Sequence, residues 1–477
     1  MEERTIEVRA SHSVDRMIFR GPAVKALRLP LLIIPKANTP WSSTIFLAYG
    51  FAGLIIIGAI LLMLPISNNS GSFTSVITAF FTATSAVSLA GLAVVDTGTY
   101  WSAFGQYVIF ALIQIGGVGF IVGATLLILA INGRFGLKDR LLISESLGVD
   151  QLSGVLSLVL RVALFALILE AAGAAIFYFR WASTGDPGGS LWNAIFLAAS
   201  AFNNCGMDLF GGFKSLAAYQ EDWVTLLTTA VLILFGSTGY IVIANLCRGF
   251  SLKKLSLDSK IVIFISVFLL IGGTLFYFIA EYTNPATMAQ YPLPHKIMVS
   301  FFQAVVPRTA GFSVVDTGSL RQISVLFTVL LMFIGGTTGS TAGGVKVNTI
   351  GVLAIAVYNI LRGRENINAF GRQITRPTVY RAMTLFMTYL GMAFLIVILL
   401  SITEAFPLED ILFESFSALG TVGLSMGITP SLSMAGKWII IATMFIGRLG
   451  PLAIMAYIVR HQKSEDIDYP HESVRLG

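Results

Sequence analysis

The sequence predicts an all-α, polytopic membrane protein built from four related units around a central axis. Three observations predict it. Of the 477 residues, 55% are hydrophobic and only 12% are charged, about half the charged share of a soluble domain. Apolar runs long enough to cross a hydrocarbon core of ~30 Å, roughly 20 residues each, recur along the whole chain. A glycine-centred phrase also returns four times at near-constant spacing, the mark of internal repetition.

Eight spans read at 42–66, 102–132, 154–179, 223–246, 261–280, 323–360, 382–402 and 437–459. The sixth is too long to be simple, and "GGTTGSTAGG" (335–344) interrupts it. Between odd and even spans lie half-apolar segments at 72–90, 189–205, 295–310 and 409–422. Each is too short to cross alone and suits a re-entrant helix that returns as loop. The chain therefore divides into a basic tail (1–41), four units (42–132, 154–246, 261–360 and 382–459) and a second tail (460–477). The first forty residues are polar and basic, and the first apolar run is too long for a cleavable leader.

Charge sets the orientation. The two tails and the connections after even spans carry 22 Lys/Arg, and the connections on the other side carry 6. Cytoplasmic segments are the basic ones, so both termini are expected inside, in a multi-pass protein of the plasma (inner) membrane. The same rule accounts for the net charge of +6 without nucleic acid. Cys205 and Cys247 give neither a disulfide framework nor a metal spacing. His12, His295, His461 and His471 all fall outside the spans.

The recurring phrases are "ATSAVSLAGLAVVDTG", "SAFNNCGMDLFGG", "VVPRTAGFSVVDTG" and "SFSALGTVGLSMG", whose central glycines are Gly91, Gly206, Gly311 and Gly423. Each following span carries a Gly-x-x-Gly: "GGVG" from Gly116, "GSTG" from Gly236, "GTTG" from Gly336 and "GRLG" from Gly447. Those sets read as sites of close helix packing. The loop glycines read differently. Non-helical backbone at membrane depth survives only where protein buries it or it lines a watered cavity. Four such loops converging on an axis can turn free carbonyls inward and replace an ion's hydration shell. Glycine permits the backbone angles this needs, and the short helices aim their negative C-terminal ends at the ion. The expected ligands are Ser88, Leu89, Ala90 and Gly91; Asn204, Cys205 and Gly206; Thr309, Ala310 and Gly311; and Thr421, Val422 and Gly423. Neutral carbonyls without an acidic ring favour a monovalent, weakly hydrated cation.

These phrases, with "PRTAGF", "GGTTGSTAGGVK" and "FIGRLGPLA", resemble the signatures of the Trk/Ktr/HKT potassium transporter superfamily over about residues 41–460. The polar first forty residues, where the Trk branch has two further spans, favour the KtrB-type branch. The resemblance implies a potassium-channel-like fold made by one chain, with each unit a span–pore helix–filter loop–span repeat. It implies potassium uptake, often stimulated by sodium, and a homodimer on a cytoplasmic ring of nucleotide-binding, RCK-type (KtrA-like) subunits. Nucleotide would sit on that partner only, and no covalent cofactor is expected. Gly91 stands where some plant relatives that pass sodium carry serine. Leu89, Cys205 and the Pro307–Arg308 pair depart from four-fold symmetry, so selectivity is expected to be looser than in a symmetric tetramer.

Five glycines between 335 and 344 make a deformable segment, since each costs a helix about 1 kcal/mol relative to alanine. It lies on the cytoplasmic side of the third loop. Mid-span and without a preceding strand, it is no phosphate-binding loop. In the resembling family it is an intramembrane gate, here Gly335, Gly336, Gly339, Ser340, Thr341, Gly343, Gly344 and Lys346, with Arg448 bonded to its freed carbonyls. Lys346 reads equally as a barrier in the path or as reaching the cytosol. Arg161 is expected to pair with Glu170 or to snorkel. Arg308 and Glu414 are expected to bridge behind the third and fourth loops. Asp96, Asp208 and Asp316 read either as concentrating cations at the outer mouth or as caps of loop ends.

Two other classes fit poorly. A sodium- or proton-coupled carrier with broken helices commonly places carboxylates at midplane, and only Glu170 lies within a span. An intramembrane enzyme needs a nucleophile–base pair or a carboxylate dyad at depth, and the spans hold no histidine.

Overall fold

A computed structural model describes residues 43–119, 155–185, 189–239, 242–243, 255–364 and 366–450. The expected tails 1–41 and 460–477, the connection 133–153, and the basic residues Arg248, Lys253 and Lys254 of the connection after the fourth span lie outside the described residues. Each unit runs long helix, short helix, loop, helix. The first is α1 (Ser43–Met63), α2 (Val76–Ser88) and α3 (Ala103–Gln114). The second is α4 (Val155–Thr184), α5 (Leu191–Phe202) and α6 (Trp223–Ser237). The third is α7 (Leu257–Glu281), α8 (Leu293–Val305), α9 (Gln322–Phe333) and α10 (Val347–Leu361). The fourth is α11 (Arg376–Thr403), α12 (Leu408–Gly420) and α13 (Met434–Leu449).

Local chemistry starts the short helices where they start. Ser75 accepts from the Thr78 amide at 3.3 Å and Ser190 from the Asn193 amide at 3.0 Å, the side-chain caps that satisfy otherwise orphaned donors. Pro292 and Pro407 precede α8 and α12, where a fixed φ suits helix entry. Every residue of α2 from Phe81 to Ser88 is buried, as is every residue of α5 from Phe196 to Phe202. Their Ala, Ser and Thr content lets the surrounding helices close around them.

The exposed faces are apolar instead. On α4, Phe179 is 69% exposed; on α7, Phe268 is 65%; on α11, Ile402 is 77%. A soluble protein does not present contiguous apolar faces of this kind, whereas lipid solvates them. The segments Leu160–Thr184, Leu257–Glu281 and Arg376–Thr403 are each long and apolar enough to cross a membrane. The protein is an integral membrane protein.

Among the described residues, each second span is interrupted at its glycine motif. Helix stops at the Gly-x-x-Gly in each unit: α3 gives way to a wide π-type turn, Ile115–Gly119, with Gly117 at ψ −116°; α6 ends at Ser237; α9 ends at Phe333; and α13 ends at Leu449. A packing reason is visible. A Cβ on Gly116, Gly236 or Gly447 would collide with the carbonyl of Val87, Phe202 or Leu419 respectively. Each of those carbonyls lies four residues before its loop glycine. The close-packing reading therefore holds for the first glycine of three motifs. On the loop between α10 and α11 a small hairpin pairs Asn368 with Gln373 and Ala369 with Arg372. Phe370 and Gly371 both take positive φ at its tip, the two-residue turn that matches strand twist.

Candidate functional site

The four loops share one backbone. Gly91, Gly206, Gly311 and Gly423 have φ of 76°, 78°, 74° and 95°. Two residues earlier, Leu89, Asn204, Thr309 and Thr421 have φ of 59°, 57°, 73° and 51°. Positive φ is uncommon outside glycine and disfavoured for a bulky side chain such as leucine, so its recurrence at one register is a property of the site. Nothing in the sequence marks this second row, whose occupants are a leucine, an asparagine and two threonines.

Helix termination explains the earlier row. The amides of Leu89, Asn204 and Thr421 donate to the carbonyls three residues back, at 3.4, 3.2 and 3.2 Å. The next amides, of Ala90, Cys205 and Val422, donate five residues back at 2.9, 2.8 and 2.8 Å. That pair of bonds, with a left-handed residue between them, is the Schellman cap. The third loop departs: Pro307 has no amide hydrogen to give, and Ala310 donates four residues back, to Val306, at 3.0 Å. Thr309 still reaches the left-handed region.

The glycines form a closed, directional ring. A Cβ on Gly206 would lie 2.5 Å from the Ala310 carbonyl oxygen; on Gly311, 2.5 Å from that of Val422; on Gly423, 2.7 Å from that of Ala90. One on Gly91 would collide with the Cys205 carbonyl oxygen. Each glycine thus faces the residue just before the next unit's glycine, in the order first, second, third, fourth, first. Side chains nearby are held within protein. Ser88 donates to the Thr84 carbonyl at 2.6 Å. The Asn204 amide, oriented to suit its neighbours, donates to Ala201 and Ile233 carbonyls at 3.0 and 3.2 Å.

Outside the ring lies a cavity of about 470 Å³ lined by all four glycines and by Asp96, Asp208 and Asp316. Asp96 caps the turn that follows it, accepting from the Thr99 amide at 2.9 Å, and also accepts from the Phe213 amide of the second unit at 2.8 Å. Asp316 accepts from Ser319 Oγ at 2.6 Å. Asp208 accepts from the Phe210 amide at 3.1 Å. Capping and facing the cavity are therefore compatible. Half-buried Asp208 is pushed up to about 6 by desolvation, with nearby Asp96 adding to the rise.

Inside the ring, residues 335–344 fold into a pinned loop rather than a loose one. Its neck is stitched by Gly335 N to Val345 O at 2.9 Å and Val347 N to Gly336 O at 3.0 Å. The four Gly-x-x-Gly motifs meet there. Thr337 N donates to the Ser237 carbonyl at 3.1 Å, and Thr341 Oγ1 to the Gly236 carbonyl at 2.9 Å. Arg448 Nη1 donates to the Thr341 carbonyl, and its Nη2 to the Gly116 carbonyl at 2.7 Å. Gly343 packs so closely under Thr421 that a Cβ would strike its Oγ1. Lys346 Nζ donates to the Ala342 carbonyl of the loop at 2.5 Å, so its ammonium closes onto the loop itself. Gly336, Gly339, Ser340 and Gly344 complete the turn, with Ser340 Oγ donating to Thr337 O at 2.7 Å.

Two expected charge pairs are replaced. Arg308 Nη2 donates to Ser266 Oγ at 3.1 Å, and Glu414 accepts from Thr429 Oγ1, so the bridge between them does not form. Glu170 accepts from Gln114 and Asn203 in place of a pairing with Arg161. Among the described residues the ion pair within 4 Å is Arg180–Asp222, at 3.0 Å. Burial works against the Asp222 carboxylate, but Arg180, Thr225 and the Val224 amide hold it below its ordinary value.

A bundle of membrane helices around one backbone ring is the architecture of a transport protein. The chain belongs to the TrkH cation transport protein family, whose model matches residues 42–467. It is 42% identical over 431 residues to the Ktr system potassium uptake protein B of Bacillus subtilis (strain 168), covering 90% of this chain and 96% of that protein. It is 38% identical over 443 residues to the potassium/sodium uptake protein NtpJ of Enterococcus hirae, again covering 90% and 96%. Its fold is similar to the crystal structure of the potassium transporter TrkH from Vibrio parahaemolyticus, with a TM-score of 0.69 at 20% identity, over 89% of this chain and 86% of that one.

Proposed function

We propose that this protein is the pore-forming membrane subunit of a potassium uptake system. The observation that carries the reading is the ring. Four glycines in the left-handed region, each against the carbonyl of the next unit, bring four backbone carbonyls to one level, the arrangement that can stand in for a cation's water shell. The residues at each level are Leu89, Asn204, Thr309 and Thr421; Ala90, Cys205, Ala310 and Val422; and the glycines themselves. The outer cavity with its three aspartates gathers cations before they enter. Residues 335–344 close the path on the cytoplasmic side, and Arg448 fastens them to the first unit.

Sodium stimulates the uptake. The subunit works as a homodimer in the plasma membrane with both termini in the cytosol, on a cytoplasmic nucleotide-binding ring. The relatives named for potassium uptake, one of them for potassium and sodium, support the choice of ion. The test is complementation of a bacterium that cannot grow at low potassium, with and without added sodium, beside rubidium flux into vesicles holding the purified chain. Absence of growth together with absence of flux from well-folded protein overturns the proposal.

A further inference from the structure

We infer that Glu170 is a positioning residue for the ion path: its carboxylate, in mid-span on α4, fixes the backbone of the second glycine loop by holding Asn203. The inference rests on the pore reading above and concerns a residue that contacts no ion.

The geometry is a three-residue brace drawn from three elements. Glu170 Oε1 accepts from Asn203 Nδ2 at 2.9 Å, and Glu170 Oε2 accepts from Gln114 Nε2 at 2.5 Å. Gln114 Oε1 in turn accepts from Asn203 Nδ2 at 3.2 Å, and the same amide reaches the Ala199 carbonyl at 3.0 Å. Asn203 is the C-cap of α5. Immediately after it the chain turns left-handed at Asn204, then presents the Cys205 carbonyl to Gly91. Holding the Asn203 side chain therefore holds the residue at which helix becomes loop.

The other units do this differently. The residue three before each loop glycine is Ser88, Asn203, Arg308 or Gly420. Ser88 bonds back into its own helix, Arg308 reaches Ser266 on α7, and Gly420 is packed against the Met332 carbonyl of α9. Among the described residues, a carboxylate holds the residue three before the loop glycine in the second unit alone; buried Glu414 of the fourth unit accepts instead from Thr429, beyond its glycine. Among the described residues, the carboxylate's hydrogen-bond partners are Gln114 and Asn203. Glu170 and Gln114 border a lateral cavity of about 530 Å³ whose other walls include Phe110, Ala166, Leu167 and Ile195. A carboxylate at such depth is costly unless bonded, so it stays with the two amides, and they stay with it. The brace also ends beside the inner constriction: Gln114 directly precedes the wide turn whose Gly116 carbonyl receives Arg448.

The test is rubidium uptake into vesicles with sodium as competitor, read as the ratio of the two apparent affinities. That ratio does not depend on how much protein folds. Glu170→Gln keeps an acceptor for Asn203 and should leave the ratio near wild type. Glu170→Ala should shift it about ten-fold or more toward sodium, the scale of one hydrogen bond to a charged group. Vmax per folded molecule should stay within about two-fold, given that the bonds serve the loop rather than the constriction. Asn203→Ala should reproduce the shift, and the double variant should be no worse than either single one, because both break one linkage. An unchanged ratio in Glu170→Ala overturns the inference, as does an additive double variant. So does a Glu170→Gln variant as impaired as Glu170→Ala, which would make the charge itself the active element. If Glu170→Ala does not insert, Asn203→Ala decides alone, and an unchanged ratio there is fatal. Failure of wild-type flux would count against the pore reading instead.

Discussion

Arg448→Ala removes the guanidinium bonds to the Thr341 carbonyl of the inner loop and to the Gly116 carbonyl of the first unit. A hydrogen bond to a charged group is worth about 1.5–3 kcal/mol net. If opening breaks one of them, the variant's closed-to-open ratio falls by roughly 10- to 150-fold; if it breaks both, by roughly 150-fold or more. The observable rise in flux is smaller, since it stops once the open state dominates. The bonds lie inside the ring and touch none of its residues, so the effect belongs to Vmax, and the Km for rubidium should change less than about two-fold. Arg448→Lys is the control. It keeps the charge but loses the planar fork that can bond two carbonyls at once, so it should fall between wild type and alanine. The assay is rubidium uptake into vesicles of purified protein, with Vmax normalised to folded protein. Flux that falls in Arg448→Ala, or a change confined to Km, would refute the reasoning and make the arginine a support of the ring.

Two further outcomes are expected. Gly→Ser at Gly91, Gly206, Gly311 or Gly423 should raise the rubidium Km and admit sodium while the protein still inserts, because each added Cβ meets the next unit's carbonyl; competition by sodium measures it, and an unchanged preference in all four would discount the ring. Asp208 titrates near pH 6 from a raised value: it is charged at neutral pH and loses its charge as pH falls through 6. Uptake at limiting rubidium should therefore weaken in mildly acidic medium, and Asp208→Asn should flatten that step in the external-pH profile.

Much of this was legible in the sequence, for reasons that differ by residue. The loop glycines stood out because a left-handed, crowded backbone leaves glycine almost no substitute. The first glycines of the "GGVG", "GSTG" and "GRLG" motifs were readable as contacts for the same steric reason. The row at Leu89, Asn204, Thr309 and Thr421 was not, since the helix caps impose its geometry and unlike side chains tolerate it; only Asn204 has a preference for such angles. The acceptors of Arg448 were invisible too, because a carbonyl carries no letter in a sequence. Arg308 and Glu414 misled for a third reason. Opposite charges on or beside the short helices of neighbouring units invite pairing, yet each bonds a hydroxyl instead, and inter-unit distances are not encoded in spacing.

The ring's direction has a consequence for how the protein can vary. In an assembly of four identical chains, one codon change falls on every quarter at once, and a change harmful in any quarter is harmful four times over. Here Gly91, Gly206, Gly311 and Gly423 are separate codons, and each meets a different neighbour: Cys205, Ala310, Val422 and Ala90. A substitution lands on one corner, strains one junction, and leaves three intact. The quarters are free to drift apart, which they have done at Pro307 and Glu170. On the pore reading proposed above, ion preference can then move in small steps, one corner at a time, without passing through a chain that conducts nothing.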